Sequence, residues 1–278
     1  MTWQLTDDVE EYAARVWDLL CAHPAENTIA LTAIHGVRAG RPPTDEPQYF
    51  AWYDDGSGVT GAVSRTPPHH LLLAVVPGDS HRELVDSLLE AGVEVPGAIG
   101  PDEVTERFAA AWTATTGLRA VPKMRTRLYS LGSLVQPSGV PGRARAARQS
   151  DVSLLVEWVG AFEAEGGMPV TDAEPVVRER VAHGLIWLWE DDSGAVVSMA
   201  GRNPTIGGVA RVGPVYTPPV HRRRGYGAAV TAACAADALY GGAEQVVLFT
   251  DLANPTSNSV YRQIGFAPVR DDRWVTFG

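Results

Sequence analysis

Residues 213–228, Gly-Pro-Val-Tyr-Thr-Pro-Pro-Val-His-Arg-Arg-Arg-Gly-Tyr-Gly-Ala, constrain this chain more than any other stretch. They read as the end of a strand, a proline stop, a basic glycine loop and the start of an alanine-rich helix. Glycines let a backbone turn with its amides pointing inward. The helix that follows presents unpaired N–H groups and the positive end of its dipole. Strand, glycine loop and helix N-terminus in that order make an anion pocket, and we read this one as a cradle for a pyrophosphate. The spacing is Arg222-x-x-Gly225-x-Gly227. It is not a Walker loop, because no Gly-Lys-Ser/Thr follows, and its glycine spacing is not that of the dinucleotide fingerprint.

The three consecutive arginines are a local feature of an acidic protein. The chain has 278 residues and a formal net charge of -10, which argues against a general nucleic-acid-binding surface. Its apolar content is that of a chain with a core, and its length suits one large domain or two ordinary ones. Cys21 and Cys234 stand far apart in no metal-like or redox-like spacing, so two reduced thiols are expected. The first ten residues are acidic and carry no apolar run, and no segment approaches the ~20 apolar residues of a membrane span. A cytoplasmic protein without membrane contact is the expectation.

Along the chain, periodicity predicts helices over residues 8–22, 27–37, 81–91 and 101–115, and a hairpin from strands 49–53 and 59–65. Residues 71–76 form a continuous apolar run, as in a strand buried on both faces. Residues 40–43 read as a loop, and residues 124–131 as a half-exposed strand. The turn-rich segment 136–142 is the best domain boundary. Beyond it come a short strand at 143–145, helices over 151–165 and 172–183, and a hairpin from 185–190 and 195–202. A strand over 209–216, the basic loop, a helix over 227–239 and a strand over 245–250 follow. Asn254-Pro255 then starts a helix that Gly265 ends, and residues 266–276 supply a last strand or pair. The two halves share an order of elements without a residue-level repeat. Two domains are expected, 1–135 and 143–278, joined by a linker at 136–142.

The second informative constellation is the 254–266 segment, Asn-Pro-Thr-Ser-Asn-Ser-Val-Tyr-Arg-Gln-Ile-Gly-Phe. Asn258 and Tyr261 are three apart and share a helical face. Two readings stand side by side: a capped amphipathic helix whose tyrosine merely packs, or a tyrosine acid with an asparagine clamp. Glu163 and Glu165 end a helix before Gly166-Gly167, where they either line an acceptor site or are simply solvated. His69-His70 has no ligands at a metal spacing. Trp187 and Trp189, alternating on one strand, suit either a pocket wall or packing. Cys234 lies inside a helix and reads as packing.

Together, the 215–219 strand end, the Arg222–Gly227 loop and the 254–266 segment resemble the GNAT superfamily of acyl-CoA-dependent N-acetyltransferases. The resemblance is specific over about residues 143–277 and architectural before that, where Pro77-Gly78-Asp79-Ser80 stands in place of a basic loop. It implies a mixed α/β (α+β) fold with two GNAT-like domains, each a twisted mixed sheet flanked by helices, the first degenerate and the second catalytic. It implies acetyl-CoA as co-substrate, no metal, and direct attack by a primary amine of a small molecule or peptide. The pyrophosphate would lie on the backbone of Arg223, Arg224, Gly225, Tyr226, Gly227 and Ala228, with the side chains of Arg222 and Arg224 nearby. Val215 and Thr217 would pair with the pantetheine arm, past a bulge at Gly213-Pro214. Asn254 and Asn258 would contact the pantetheine or phosphate region, and Tyr261 would protonate the leaving thiolate. The 209–215 strand carries no glutamate, so the general base is open. A homodimer is compatible with the sequence. A non-catalytic acyl-CoA sensor and a nucleic-acid-associated protein using the arginine run remain as alternatives.

Overall fold

A computed structural model describes residues 2–40, 46–167 and 172–278. Residues 41–43 of the loop read at 40–43 therefore lie outside the described residues. The chain divides into two compact units. Unit 1 comprises Met1–Leu128, Asp251–Ala253 and Val269–Gly278; unit 2 comprises Tyr129–Thr250 and Asn254–Pro268. This division differs from a single cut at 136–142, because the last ten residues of the chain cluster with the first half.

In unit 1 the elements are β1 (Thr2–Thr6), α1 (Val9–Cys21), α2 (Thr28–Arg38), β2 (Tyr49–Asp54), β3 (Val59–Arg65), β4 (Leu71–Val75), α3 (His81–Glu90), β5 (Gly97–Pro101), α4 (Asp102–Thr116) and most of β6 (Ala120–Leu131). The sheet runs β1-β2-β3-β4-β5, and the C-terminal strand continues it antiparallel to β5, from Asp272↔Pro101 to Thr276↔Gly97. Asp8 caps α1 by accepting the amides of Glu10 and Glu11, and Gly117 ends α4 in the left-handed region at φ 74°. One sheet face packs Leu84, Leu88, Phe108 and Trp112 of α3 and α4 into a core with Leu73 and Ala98. The other face carries α1, whose Tyr12 stacks on Phe50 with ring centroids 5.0 Å apart.

Unit 2 takes the end of β6 and then β7 (Arg143–Ala146), α5 (Val152–Glu165), α6 (Glu174–Ala182), β8 (Ile186–Glu190), β9 (Val196–Arg202), β10 (Val209–Tyr216), α7 (Tyr226–Tyr240), β11 (Gln245–Asp251, its last residue in unit 1), α8 (Pro255–Gln263) and the start of β12 (Phe266–Phe277). Its strands run β11-β10-β9-β8-β7, antiparallel except for the β10–β11 pair. Alternation along the strands sends Ala200, Ala210, Val212 and Leu248 to the α7 and α8 face. It sends Leu188, Met199 and Tyr216 to the α5 and α6 face, against Leu155, Trp158, Val177 and Val181. Seven alanines within α7 keep that helix slim over the sheet, and Cys234 is fully buried beneath it as packing. Burial pushes the Cys234 thiol up to about 12, so it stays protonated. Both units are thus mixed sheets with helices on both faces.

Candidate functional site

The site in unit 2 begins where two parallel strands part. β10 and β11 pair in register from Val209↔Gln245 to Val212↔Leu248 and no further. At that point Gly213 adopts φ 152° and the Gly213–Pro214 peptide is cis. On the other edge, the register with β9 shifts between Val212 and Val215, then resumes at Val215↔Ala200 and Tyr216↔Met199. The expected bulge is present. It leaves the last residues of β10 bonded on the β9 side alone, so their other backbone edge faces an opening toward β11. Val215 sits there, half-buried at the margin of the α7–α8 core.

After β10 the chain turns through Pro218 and a short 3-10 turn at Pro219–His221. Arg223 and Gly225 then take left-handed conformations, φ 63° and 83°. Gly225 is the N-cap of α7. The Ala229 amide closes the first helical turn onto the Gly225 carbonyl at 3.0 Å. The amides of Gly225, Tyr226, Gly227 and Ala228 are therefore the four that helix geometry leaves without an intrahelical acceptor. A Cβ on Gly225 would lie 2.9 Å from Val140 Cγ2, so both the backbone conformation and the space require glycine. Arg223 and Arg224 are exposed, and among the described residues neither forms an ion pair. The Tyr226 ring is buried, so its contribution to this surface is its amide.

Arg222 is engaged within the protein. Its Nη2 donates to both oxygens of Glu165 at 2.8 and 2.6 Å, and its Nε donates to the Thr217 carbonyl at 2.8 Å. The guanidinium lies 5.8 Å from the centre of the Tyr216 ring, and the Tyr216 hydroxyl donates to Glu165 at 3.2 Å. Burial and then the Glu165 charge raise the Tyr216 phenol above its ordinary pKa. Arg222 thus ties the loop to the end of α5. Thr217 Oγ1 meets Ser198 Oγ at 2.8 Å, and Ser198 also donates to the Tyr216 carbonyl at 3.1 Å. These bonds hold the strand end against β9.

On α8, Asn254 caps the helix by accepting the Ser257 amide at 3.0 Å, ahead of Pro255 at the first helical position. Asn258, expected to contact the cofactor, is engaged inside the protein. It is buried; its Oδ1 accepts from the Tyr129 hydroxyl at 2.9 Å and its Nδ2 donates to the Asn254 carbonyl at 2.7 Å. Four residues past the cap, its side chain lies on the inward face of α8 and pins that helix to the end of β6. Tyr261 packs edge-on against Phe266, centroids 6.2 Å apart, at the margin of the core that Val215 also borders. Among the described residues its hydroxyl has no hydrogen-bond partner. Burial pushes its pKa up to about 12, which keeps it protonated at neutral pH.

Trp187 and Trp189 line an open groove of about 530 Å³ on the flank of α7, with Ala229, Ala233 and Tyr240. Trp189 also donates to the Pro141 carbonyl at 2.9 Å. Arg180, Asn203 and Arg211, which no sequence motif marks, meet under α6 beside the bulge. The available signal was an arginine between apolar neighbours in the Val209–Tyr216 strand. Among the described residues no group of three His, Cys, Asp or Glu side chains is placed to hold a metal, and no helix is long and apolar enough to cross a membrane.

The equivalent place in unit 1 is built differently. β4 and β5 pair in parallel at Leu71↔Ala98 and Leu72↔Ile99. Beyond that they stay close, for a Cβ on Gly100 would lie 2.6 Å from the Leu73 carbonyl. The loop before α3 has no arginine, and its Ser80 carbonyl accepts the Trp3 indole N–H at 3.2 Å.

Residues 191–275 match the family model described as FR47-like protein. A search of curated protein sequences gives no match. Among solved structures, a Drosophila protein aligns over 99% of this chain and 98% of its own, with TM-score 0.70 and 14% identity. A GNAT-family acetyltransferase from Colwellia psychrerythraea aligns over 100% and 99%, with TM-score 0.63 and 13% identity. A GCN5-related N-acetyltransferase from Sphaerobacter thermophilus aligns over 98% and 94%, with TM-score 0.64 and 16% identity.

Proposed function

The chain has the GNAT fold, and from that premise we propose that unit 2 transfers an acyl group, acetyl in the first instance, from acyl-CoA to a primary amine. The observation that supports this most is the conjunction at β10: strands that part at Val212↔Leu248, and a left-handed loop that ends on the bare N-terminus of α7. The opening suits an extended pantetheine arm, which would add to the free edge of β10 at Val215 and Thr217. The loop suits a pyrophosphate, which the amides of residues 225–228 would hold, with Arg223 and Arg224 adding charge. Asn254 orders the start of α8 at this end of the sheet. Unit 1, with its strands in contact and Trp3 bound to its loop, is proposed as non-catalytic.

Bound there, the thioester supplies an activated acyl carbonyl. The chain's own groups position it and carry the proton traffic. The backbone N–H on the free edge of β10 at Val215 would donate to the oxygen that gains charge. Pro214, lacking an N–H, cannot compete for that task. The amine nitrogen bonds to the acyl carbon as the C–S bond breaks; Tyr261, kept protonated by burial, gives its proton to the departing thiolate, and the proton lost by the acylated nitrogen restores the phenol by way of water. The Tyr216–Glu165–Arg222 cluster fixes the end of β10, so the donor at Val215 stays aligned.

The test is free-thiol release from acetyl-CoA over a panel of primary amines, with calorimetric titration of CoA in parallel. Amine-dependent thiol release supports acyl transfer. Tight CoA binding with no release on any amine supports a sensor, and salt-dependent DNA affinity without CoA affinity contradicts the proposal.

A further inference from the structure

Under α6, on the sheet face away from α7, polar groups gather beside the Gly213 bulge. Arg180 Nη1 donates to the Gly213 carbonyl at 3.1 Å, and Nη2 bonds Asn203 Oδ1. A Cβ on Gly201 would lie 3.5 Å from Arg180 Nη1, so the guanidinium rests where β9 has only a glycine. Asn203 is buried, and its amide donates to the Arg211 carbonyl at 3.0 Å. Arg211 is two residues before the bulge. Its neighbours Ala210 and Val212 belong to the α7 face, so alternation turns Arg211 to the Arg180 side.

Arg211 stands out among these groups. Its Nη1 is shielded from solvent and has no hydrogen-bond partner among the described residues, and no described carboxylate forms an ion pair with it. The residue as a whole remains partly open to solvent. Burial, and then the charge of Arg180, lower its pKa to about 10, so it is still a cation at neutral pH. A buried guanidinium donor without an acceptor is costly, and a planar fork fits a carboxylate with two parallel bonds.

We propose that Arg211, with the Arg180 charge beside it, binds a carboxylate of the acceptor, so that the acceptor class is an amine bearing a carboxylate several bonds away. This rests on acyl transfer at β10. The spacing follows from the strand: Arg211 is four residues before Val215, about 13 Å at a rise of about 3.3 Å per residue and somewhat less across the bulge between them. A carboxylate held by Arg211 next to Arg180 therefore places the acceptor amine at the acyl carbon only if the two groups are separated by more than the spacing in an α-amino acid.

The experiment uses the full chain with acetyl-CoA and unbranched amino acids from glycine to 6-aminohexanoate, each paired with its primary carboxamide. Thiol release should favour acid over amide by about tenfold or more in kcat/KM, mainly through KM, with the longer members ahead of glycine. Arg211→Gln should bring the ratio close to one, and Arg211→Lys, which keeps the charge without the fork, should give an intermediate ratio. CoA affinity, measured separately, reports the cofactor site and the fold of each variant. Equal rates on acids and amides, or a ratio that survives Arg211→Gln, would overturn the proposal. Thermal shift by the amino acids alone decides the matter without turnover: stabilisation of the wild type but not of Arg211→Gln supports the site, and equal stabilisation, or none, contradicts it. If no amine is acetylated, the acyltransferase reading fails by itself while the thermal-shift comparison still decides the carboxylate site.

Discussion

Replacing Gly225 by valine tests the cradle at its tightest point. Gly225 has φ 83°, and a Cβ there would meet Val140 Cγ2 at 2.9 Å. Holding a non-glycine residue in the left-handed region costs about 1–2 kcal/mol. Overpacking against a neighbour costs about 1–3 kcal/mol more. In the free protein the loop can relieve this strain by abandoning the conformation that aims its amides. Bound CoA requires that conformation, so most of the strain appears as lost affinity. About 2–4 kcal/mol corresponds to a rise in Kd of roughly thirtyfold or more. Calorimetric titration with CoA measures it, and far-UV circular dichroism with a thermal melt checks the fold. Val140→Ala in the Gly225→Val background should recover the steric share and leave the backbone share. A Kd within about twofold of the wild type, in a folded Gly225→Val protein, would refute the reasoning, because the loop would then not need its present shape to bind.

Tyr261→Phe should lower kcat by about a hundredfold or more while CoA affinity stays within about twofold, since a general acid acts in the chemical step. With the phenol pushed up to about 12, the wild type should show no loss of turnover from its ionisation as pH rises from 7 to 10. Asn258→Ala should lower unfolding stability by about 1–3 kcal/mol in urea, because the Tyr129 hydroxyl loses its partner in a buried setting, whereas an unchanged midpoint would contradict the structural role assigned to it. Arg223→Ala with Arg224→Ala should weaken CoA binding more at low salt than at high salt, as expected of exposed charges, and a salt-independent loss would point to a change in loop shape instead.

Much of unit 2 was legible because its signals are local. The hairpin of β8 and β9, the bulge at Gly213-Pro214, the slim helix α7 and the Asn254 cap all follow from residues adjacent in sequence. Other features depend on partners far along the chain. β1 is a short and partly polar strand, held by its register with β2 from Thr2↔Asp54 to Thr6↔Phe50, so periodicity missed it. Arg222 looked like a phosphate ligand because its acceptor, Glu165, lies 57 residues earlier. Asn258 reads as a clamp from sequence, and nothing local announces that the hydroxyl of Tyr129 lies beside it. The clustering of residues 269–278 with the first half has the same origin, a strand pairing with β5 that no local pattern encodes. Helix spacing told which residues share a face of α8. It did not tell what each would meet there, the Tyr129 hydroxyl for Asn258 and the Phe266 ring for Tyr261.

The most direct test of the account is a crystal structure of the chain with CoA bound. The pyrophosphate should lie against the amides of residues 225–228, and the pantetheine arm should run along β10 from Thr217 to Val215, with its sulfur near the Tyr261 hydroxyl. CoA bound elsewhere, or an unbroken contact between β10 and β11 past Val212 with the cofactor excluded, would contradict it.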